Sequence, residues 1–247
     1  MNMIQTTDRR ERARVARRDV FLDATRALIK EHGIESLTIK AVAERVDCAA
    51  GTLYTYFPSK SSLLATVQSE AIARLGATYD GAAELLEEDL DRLGVDVDTA
   101  ALGRLVAFGR SIIAVGHVLP EEFRLQQRML DSRVVYEPVD LAMVAPVAFD
   151  VLARPERLLR EAVALGVIDA GDAFDRTVSW MAAINGVLTL TLVELPGAEG
   201  FDPAALADRL QLDLLRGWGA HRDTLAAADA AAPIERVTEL LKASAET

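Results

Sequence analysis

The feature that most constrains this chain is residues 38–60, TIKAVAERVDCAAGTLYTYFPSK, a pattern of two short helices joined by a tight turn and followed by the start of a third. Thr38 carries a hydroxyl that can accept from an unpaired backbone N–H, so it reads as the N-cap of the first helix, whose apolar face holds Val42 and Val46. Asp47 and Cys48 make the turn. The second helix is expected from about Ala49 to Tyr56, with Leu53 and Phe57 four residues apart and so stacked on the inward side. Ala50, Thr52, Tyr54 and Thr55 remain for solvent or a partner.

Two helices crossing steeply need a small side chain where their backbones approach, and Ala43 stands there, one turn before Asp47. The turn needs a residue tolerant of the left-handed region, for which Asp is next in line after Gly and Asn. Val42, Val46, Cys48 and Leu53 then fall where a helix-turn-helix needs apolar contacts to hold its second helix outward. A helix held proud of its domain can enter a DNA major groove, where short hydroxyl side chains reach base edges or phosphates.

The run Gly51-Thr52-Leu53-Tyr54-Thr55-Tyr56-Phe57-Pro58-Ser59-Lys60 resembles the most distinctive string of the TetR family of transcriptional regulators, and the resemblance covers residues of about 15 to 70. It implies that Ala49–Tyr56 is the recognition helix, with Ala50, Thr52 and Tyr54 at the groove and phosphate contacts from Thr38, Tyr56 and Lys60. With Lys40, Ala49 and Thr55 these make up the expected DNA-binding set. Asp47 stands where that family usually has Gly. Ala49 stands where it usually has a capping Ser or Thr, which bears on the recognition helix's own N-cap and on one usual phosphate contact.

A chain of 247 residues can bury a sizeable core, and its 51% hydrophobic content with only 5% aromatic residues and few prolines favours helices throughout. The fold class expected is all-α: an N-terminal three-helix helix-turn-helix DNA-binding domain, then a helical ligand-binding and dimerisation domain. The divisions are residues 1–19, a basic arm running into helix one; 20–66, the helix-turn-helix domain; and 67–247, the effector-binding and dimerisation body. One cysteine excludes an internal disulfide framework, three scattered histidines give no zinc spacing, and the reducing cytoplasm is the simplest compartment. No cofactor is expected. No signal peptide is expected, and the longest uncharged stretch, Thr177 to Val193, is 17 residues but contains Ser179, Asn185, Thr189 and Thr191, so it reads as a buried helix and not a membrane span.

The net charge of −11 argues at first against nucleic acid, but it is unevenly divided. Residues 1–70 hold 11 Lys/Arg against 9 Asp/Glu, a balance of +2, while the remainder holds 16 against 29, a balance of −13. An acidic body repelling the duplex would favour one docking orientation. The segment 8–19, with six arginines and three acids, is either the solvated start of helix one or an arm reaching phosphates or a minor groove.

Helix one is expected to end near His32 with Gly33 as a left-handed cap, and Ser59 to cap a helix running from Lys60 to about Leu75, where Gly76 and Gly81 weaken it. Further helices are expected over Ala100–Val118, Glu121–Val134, Leu141–Arg154 with an interruption at Pro146, and 156–165 after Pro155. The longest follow at about 172–194 and 202–228, with a short one over 233–243. In the resembled family the last two long helices pair with their twins across a two-fold axis. Trp180, Ile184, Val187, Leu188 and Thr191 form one stripe, and Leu206, Leu210, Leu214 and Trp218 another, fitting either a homodimer interface over 172–194 and 202–228 or intrachain core.

No nucleophile, acid–base pair or metal cluster stands out, so an enzyme is not expected. Phe108, His117, Phe123, Met129, Met143, Trp180 and Asn185 are the candidates for lining an apolar pocket for an unknown small-molecule effector. His117 fits equally a core or surface role, and Asn185 a hydrogen bond to another side chain. Cys48 reads as small turn packing before redox sensing. The leading function is a ligand-responsive DNA-binding regulator, a homodimeric repressor on a double-stranded operator. The alternatives are an activator or structural DNA-binding protein, and a helical small-molecule-binding enzyme or interaction protein whose helix-turn-helix is only scaffold.

Overall fold

The computed structural model describes residues 2–128, 136–190 and 200–246, with side chains from Arg9 onward. Every regular element among the described residues is helical: α1 (Asn2–His32), a short 3-10 turn (Ile34–Ser36), α2 (Ile39–Arg45), α3 (Ala50–Tyr54), α4 (Lys60–Leu93), α5 (Val97–Val118), α6 (Pro120–Gln127), α7 (Pro138–Ala164), α8 (Ala173–Leu188), α9 (Pro203–Gly217), α10 (Arg222–Ala231) and α11 (Ile234–Ala245). They form two compact units, one of residues 1–71 with 131–147 and the other of 72–130 with 148–247.

In the first unit the local chemistry sets each boundary. Gly33 ends α1 with φ 78°, and its N–H donates to the Ile29 carbonyl at 2.8 Å. Thr38 caps α2 by accepting from the Ala41 N–H at 3.0 Å. Asp47 takes φ 50°, the one non-glycine positive φ among the described residues, and the Cys48 N–H closes the turn on the Ala43 carbonyl at 3.0 Å. Ala43 itself is buried at that crossing. Ser59 caps α4, accepting from the Ser62 N–H at 2.9 Å. Phe21, Leu22, Val42, Leu53, Phe57, Leu63 and Val67 are sealed inside, each burial of such a side chain being worth about 1.5–3 kcal/mol. The start of α7 also belongs to this unit: Ser61 donates to Asp140, and Ser69 donates to the Met143 carbonyl at 3.3 Å.

The second unit is built around α5, on which α6, α8, α9, α10 and α11 all pack. By length and hydropathy α5 could cross a membrane, but 89% of its apolar window is buried inside the protein. Its polar exception is Arg110, only 5% exposed. The guanidinium donates to both carboxylate oxygens of Asp208 on α9 at 2.9 and 3.0 Å, to the Asp229 side chain on α10 and to the Ala232 carbonyl at 2.7 Å. This one side chain ties three helices together. Next to it, Gly109 lets Gln211 and Trp180 approach so closely that an added Cβ would meet the Gln211 Oε1 at 1.7 Å.

Several expected boundaries are corrected. The helix from Lys60 does not weaken at Gly76 and Gly81 but continues to Leu93, because those positions are where Arg154 and Ser244 come close to its backbone. Pro146 and Pro155 do not interrupt α7, which runs unbroken from Pro138 to Ala164 while Val144, Val151, Leu159 and Ala162 are buried along it. The helix expected over 202–228 is two: Gly219, at φ 97°, turns the chain between α9 and α10, and its missing Cβ leaves room for the Asp169 carboxylate. Part of the helix expected over Glu121–Val134, and the end of that over 172–194, lie outside the described residues.

Candidate functional site

The α2–turn–α3 unit turns one side of α3 into the domain and leaves the other bare. Leu53 is fully buried, whereas Tyr54 is 54% exposed and Gly51, Thr55 and Ala49 are exposed beside it. Ala50 and Thr52 are half-buried, and the Thr55 hydroxyl donates to the Thr52 carbonyl at 2.7 Å. Ala49 occupies the N-cap with φ −70° and ψ 141° but makes no side-chain bond. Thr38 and Lys40 are exposed at the start of α2, Lys40 paired at 3.6 Å with Glu44, and Lys60 is exposed at the first position of α4. Tyr56 is half-buried, its ring edge-on to Phe21 at 5.1 Å.

The arginine-rich segment is part of α1 and divides into two roles. Arg17 lies over the Phe21 ring at 5.0 Å and Arg18 over Phe57 at 5.5 Å, so both are pinned to the core they cover. Arg9, Arg10 and Arg14 are exposed.

Residues 21–67, the segment just described, match the model of the bacterial regulatory proteins of the tetR family. The N-terminal domain is of the TetR family. Over 67 residues the chain is 48% identical to the HTH-type transcriptional repressor KstR of Mycolicibacterium smegmatis, covering 27% of this chain and 33% of that protein. Against KstR of Mycobacterium tuberculosis the identity is 45% over 67 residues, covering 27% and 30%. The chain thus spans about a third of the length of these curated relatives. Among solved structures, a protein of unknown function from Rhodococcus sp. RHA1 matches 81% of this chain and 94% of its own, with TM-score 0.61 and 18% identity. RolR in complex with resorcinol matches 90% and 96%, with TM-score 0.58 and 17% identity. These likenesses are of fold and take in the helical body as well.

In the body, a cavity of about 70 Å3 is walled by α4, α5, α7 and α11. Ala82, Leu86, Ala107, Phe108, Leu158, Val237 and Leu240 give it apolar walls, and Tyr79, Ser111, Glu87 and Arg104 its polar groups. Tyr79 is buried, its ring 5.4 Å from that of Phe108, and its hydroxyl has no hydrogen-bond partner within the protein. Burial pushes the Tyr79 pKa up, against a smaller opposing pull from Arg154, which keeps it a neutral donor.

Of the described residues among those expected to line a pocket, only Phe108 lines this one. Trp180 is buried behind it, ring centroids 6.0 Å apart. His117 is exposed at the end of α5, because the helix's buried stripe stops at Val115. Phe123 is half-buried on α6 against Gly116, and Met143 belongs to the first unit, where the Thr66 hydroxyl approaches its sulfur at 3.4 Å. Asn185 is satisfied by the protein, accepting from Gln127 and donating to the Met181 carbonyl at 2.8 Å. Met129 lies outside the described residues. Sequence reasoning missed Tyr79 and Ser111. Tyr79 was accessible to it, as the one hydroxyl-bearing ring in the stripe Ile72, Leu75, Tyr79, Ala82, Leu86 and Leu90.

Proposed function

We propose that this chain is a transcriptional regulator that binds an operator in double-stranded DNA and answers to a small molecule, acting as a cytoplasmic homodimeric repressor and not as an enzyme. The observation that carries the reading is the α2–turn–α3 unit with Tyr54 turned outward, within the segment 21–67 that matches the tetR family of bacterial regulatory proteins. Short hydroxyls and a tyrosine on such a helix suit base edges and sugar–phosphate, and Lys60 with the N-terminal amides of α4 suits a phosphate. Two copies related by a two-fold would place their recognition helices in successive major grooves about 34 Å apart, on a quasi-palindromic site.

The surface of α8 and α9 supports the dimer, on α8 through other residues than expected and on α9 through the expected leucines. Trp180 and Ile184 are fully buried within the body and are not available to a partner. The exposed face of α8 instead carries Phe174, Val178, Ala182 and Gly186 at successive four-residue steps, with Leu190 exposed just beyond the helix end, an apolar stripe with small residues that let a second helix approach. On α9, Leu206, Leu210 and Leu214 are half-exposed at the same spacing. A twin copy covering these stripes would form a four-helix contact.

The effector part of the reading is supported by the body cavity and by the likeness in fold to RolR, which binds resorcinol. A ligand releases DNA only by binding the non-binding arrangement more tightly, and α4, continuous from Lys60 to Leu93, is the element through which such a preference would be felt.

The test is fluorescence anisotropy on the DNA flanking the chain's own coding region and on a scrambled duplex, over a range of salt. Tyr54→Ala is expected to erode the preference for the operator by about 1–3 kcal/mol. Lys60→Ala is expected to weaken both duplexes alike and to reduce the salt slope by about 1. Unchanged binding in both variants would refute the proposed face. Val178→Glu is expected to sediment as a monomer; a dimer in that variant would refute the α8 interface.

A further inference from the structure

The arginines at the start of α1 are not spread evenly around it. At 3.6 residues per turn, Arg10, Arg14, Arg17 and Phe21 fall within about 60° of one another, a single stripe along the helix. Its foot is fixed in the domain: the Arg17 guanidinium lies over the Phe21 ring at 5.0 Å, and that ring meets the Tyr56 ring edge-on at 5.1 Å, just beyond α3. Arg14 and Arg10 continue the stripe about 10.5 and 16.5 Å further along the axis from Phe21. A different face docks on α4, where Arg18 lies over Phe57 and stands 3.6 Å from Glu70, and where Arg26 bonds the same carboxylate. Glu11 and Asp19 are exposed, but they project about 90° and 170° away from the centre of the stripe. Among the described residues neither Arg10 nor Arg14 is paired with a carboxylate or laid on a ring. Like charges four apart on a helix repel, a cost that contact with a polyanion reverses.

We propose that the Arg10–Arg14 face of α1 is a second DNA-binding surface, which holds two backbone phosphates beside the Tyr56 end of the recognition helix and reads no bases. Phosphates on one strand rise about 3.4 Å each, so two guanidinium groups about 6 Å apart on long side chains reach neighbouring or next-but-one phosphates. Half-buried Arg17, held on Phe21, sets the direction in which the stripe leaves the domain. A membrane surface suits this stretch less well. Its exposed large apolar side chains, Val15 and Val20, lie about 140° apart around the helix and give no common face to bury among lipids. As a DNA contact the surface rests on the regulator reading, to which it adds affinity without sequence preference.

The experiment titrates the full chain onto the duplex flanking its own coding region and onto a scrambled duplex. Arg10→Ala with Arg14→Ala is expected to lower the slope of log affinity against log salt by about 2 on both duplexes, so that the affinity lost between about 50 and 200 mM salt is about 10-fold smaller. The ratio of affinities for the two duplexes is expected to stay within about twofold of wild type, because no base contact is removed. Arg10→Lys with Arg14→Lys keeps both charges and is expected to keep the slope. Arg222→Ala with Lys242→Ala removes the same charge from exposed positions of the body and is expected to leave the slope unchanged. Thermal unfolding of each variant shows that it is folded. An unaltered slope in the alanine variant, an equal fall in the body variant, loss of the slope in the lysine variant, or a changed ratio between the duplexes would each overturn the second surface while leaving the regulator standing. Wild type that binds neither duplex at low salt would refute both together. Capture of wild type by phosphatidylcholine vesicles containing phosphatidylserine, lost in the alanine variant beside an unaltered DNA slope, would assign the arginines to a membrane instead.

Discussion

Ala49→Ser should stabilise the N-terminal unit, and its size can be worked from the cap. Ala49 already has the extended backbone of an N-cap, φ −70° and ψ 141°, so a serine there needs no rearrangement. The position is exposed, which leaves room for the added oxygen. At present the Thr52 N–H is served by the Ala49 carbonyl at 2.9 Å, and no side chain accepts from the first amides of α3. A serine hydroxyl accepting from the amide of Gly51 or Thr52 is worth about 1 kcal/mol, within a range of about 0.5–2. For a chain of this length that corresponds to a rise in Tm of about 2–4 °C, or more if the unit melts as a separate transition. Thr38→Ala is the internal comparison: it deletes the 3.0 Å bond from the Ala41 N–H and should lower Tm by a similar amount. Differential scanning calorimetry of the three proteins decides the matter. A fall or no change for Ala49→Ser, beside the expected fall for Thr38→Ala, would refute the argument that α3 lacks a cap.

Three further outcomes follow from the body. Arg110→Met should cost about 3–5 kcal/mol in urea unfolding, because it leaves the part-buried Asp208 carboxylate without its counter-charge, with only the Gln211 bond remaining, and takes the guanidinium donor from two carbonyls; a loss below about 1 kcal/mol would mean that the three helices do not depend on it. Gly109→Ala should cost about 1–3 kcal/mol, since the new methyl must displace Gln211 and Trp180. The hydrogen bonds from Arg236 chiefly hold the Asp89 carboxyl below its usual range, while at Asp208 burial pushes upward and is outweighed by Arg110 and Gln211. Carboxyls depressed on folding stabilise the protein above the unfolded value of about 3.9, so Tm should be flat from neutral pH to about 5 and fall as the pH drops below about 4. Asp89→Asn with Asp208→Asn should flatten that fall, and an unchanged slope would show that other groups carry it.

The helix-turn-helix was legible because its determinants are local. A hydroxyl three residues before the amide it caps is visible at Thr38 and at Ser59, and the need for a left-handed residue between two helices is visible at Asp47, which takes φ 50°. The body helices were harder because glycine and proline carry two meanings. Their intrinsic cost in a helix makes Gly76, Gly81, Pro146 and Pro155 read as breaks. In the fold Gly76 is where the Arg154 guanidinium reaches the helix, 3.0 Å from an added Cβ, and Gly81 is where Ser244 does, so what looks like a weakness in one segment is an accommodation to another far along the chain. Such a partner cannot be read from the segment itself.

The same limit governs the two apolar surfaces. On α8 both sides are apolar at helical spacing, Trp180 with Ile184 on one and Phe174, Val178 and Ala182 on the other, and periodicity alone does not say which side faces the core. The large aromatic drew the expectation of an interface, yet Trp180 is the side chain that Phe108 and Gly109 are shaped to receive. The cavity is less legible still, for its walls run from Tyr79 to Leu240 and no two of its four helices adjoin in sequence except α4 and α5. What marks it is a mismatch and not a motif: among its polar groups Arg104, Glu87 and Ser111 are all matched to protein partners, while Tyr79 is not. A core hydroxyl with no partner is a cost that a Phe at that position would remove, and it shows only once the helices are packed, since in the apolar stripe of α4 Tyr79 reads as one more buried ring.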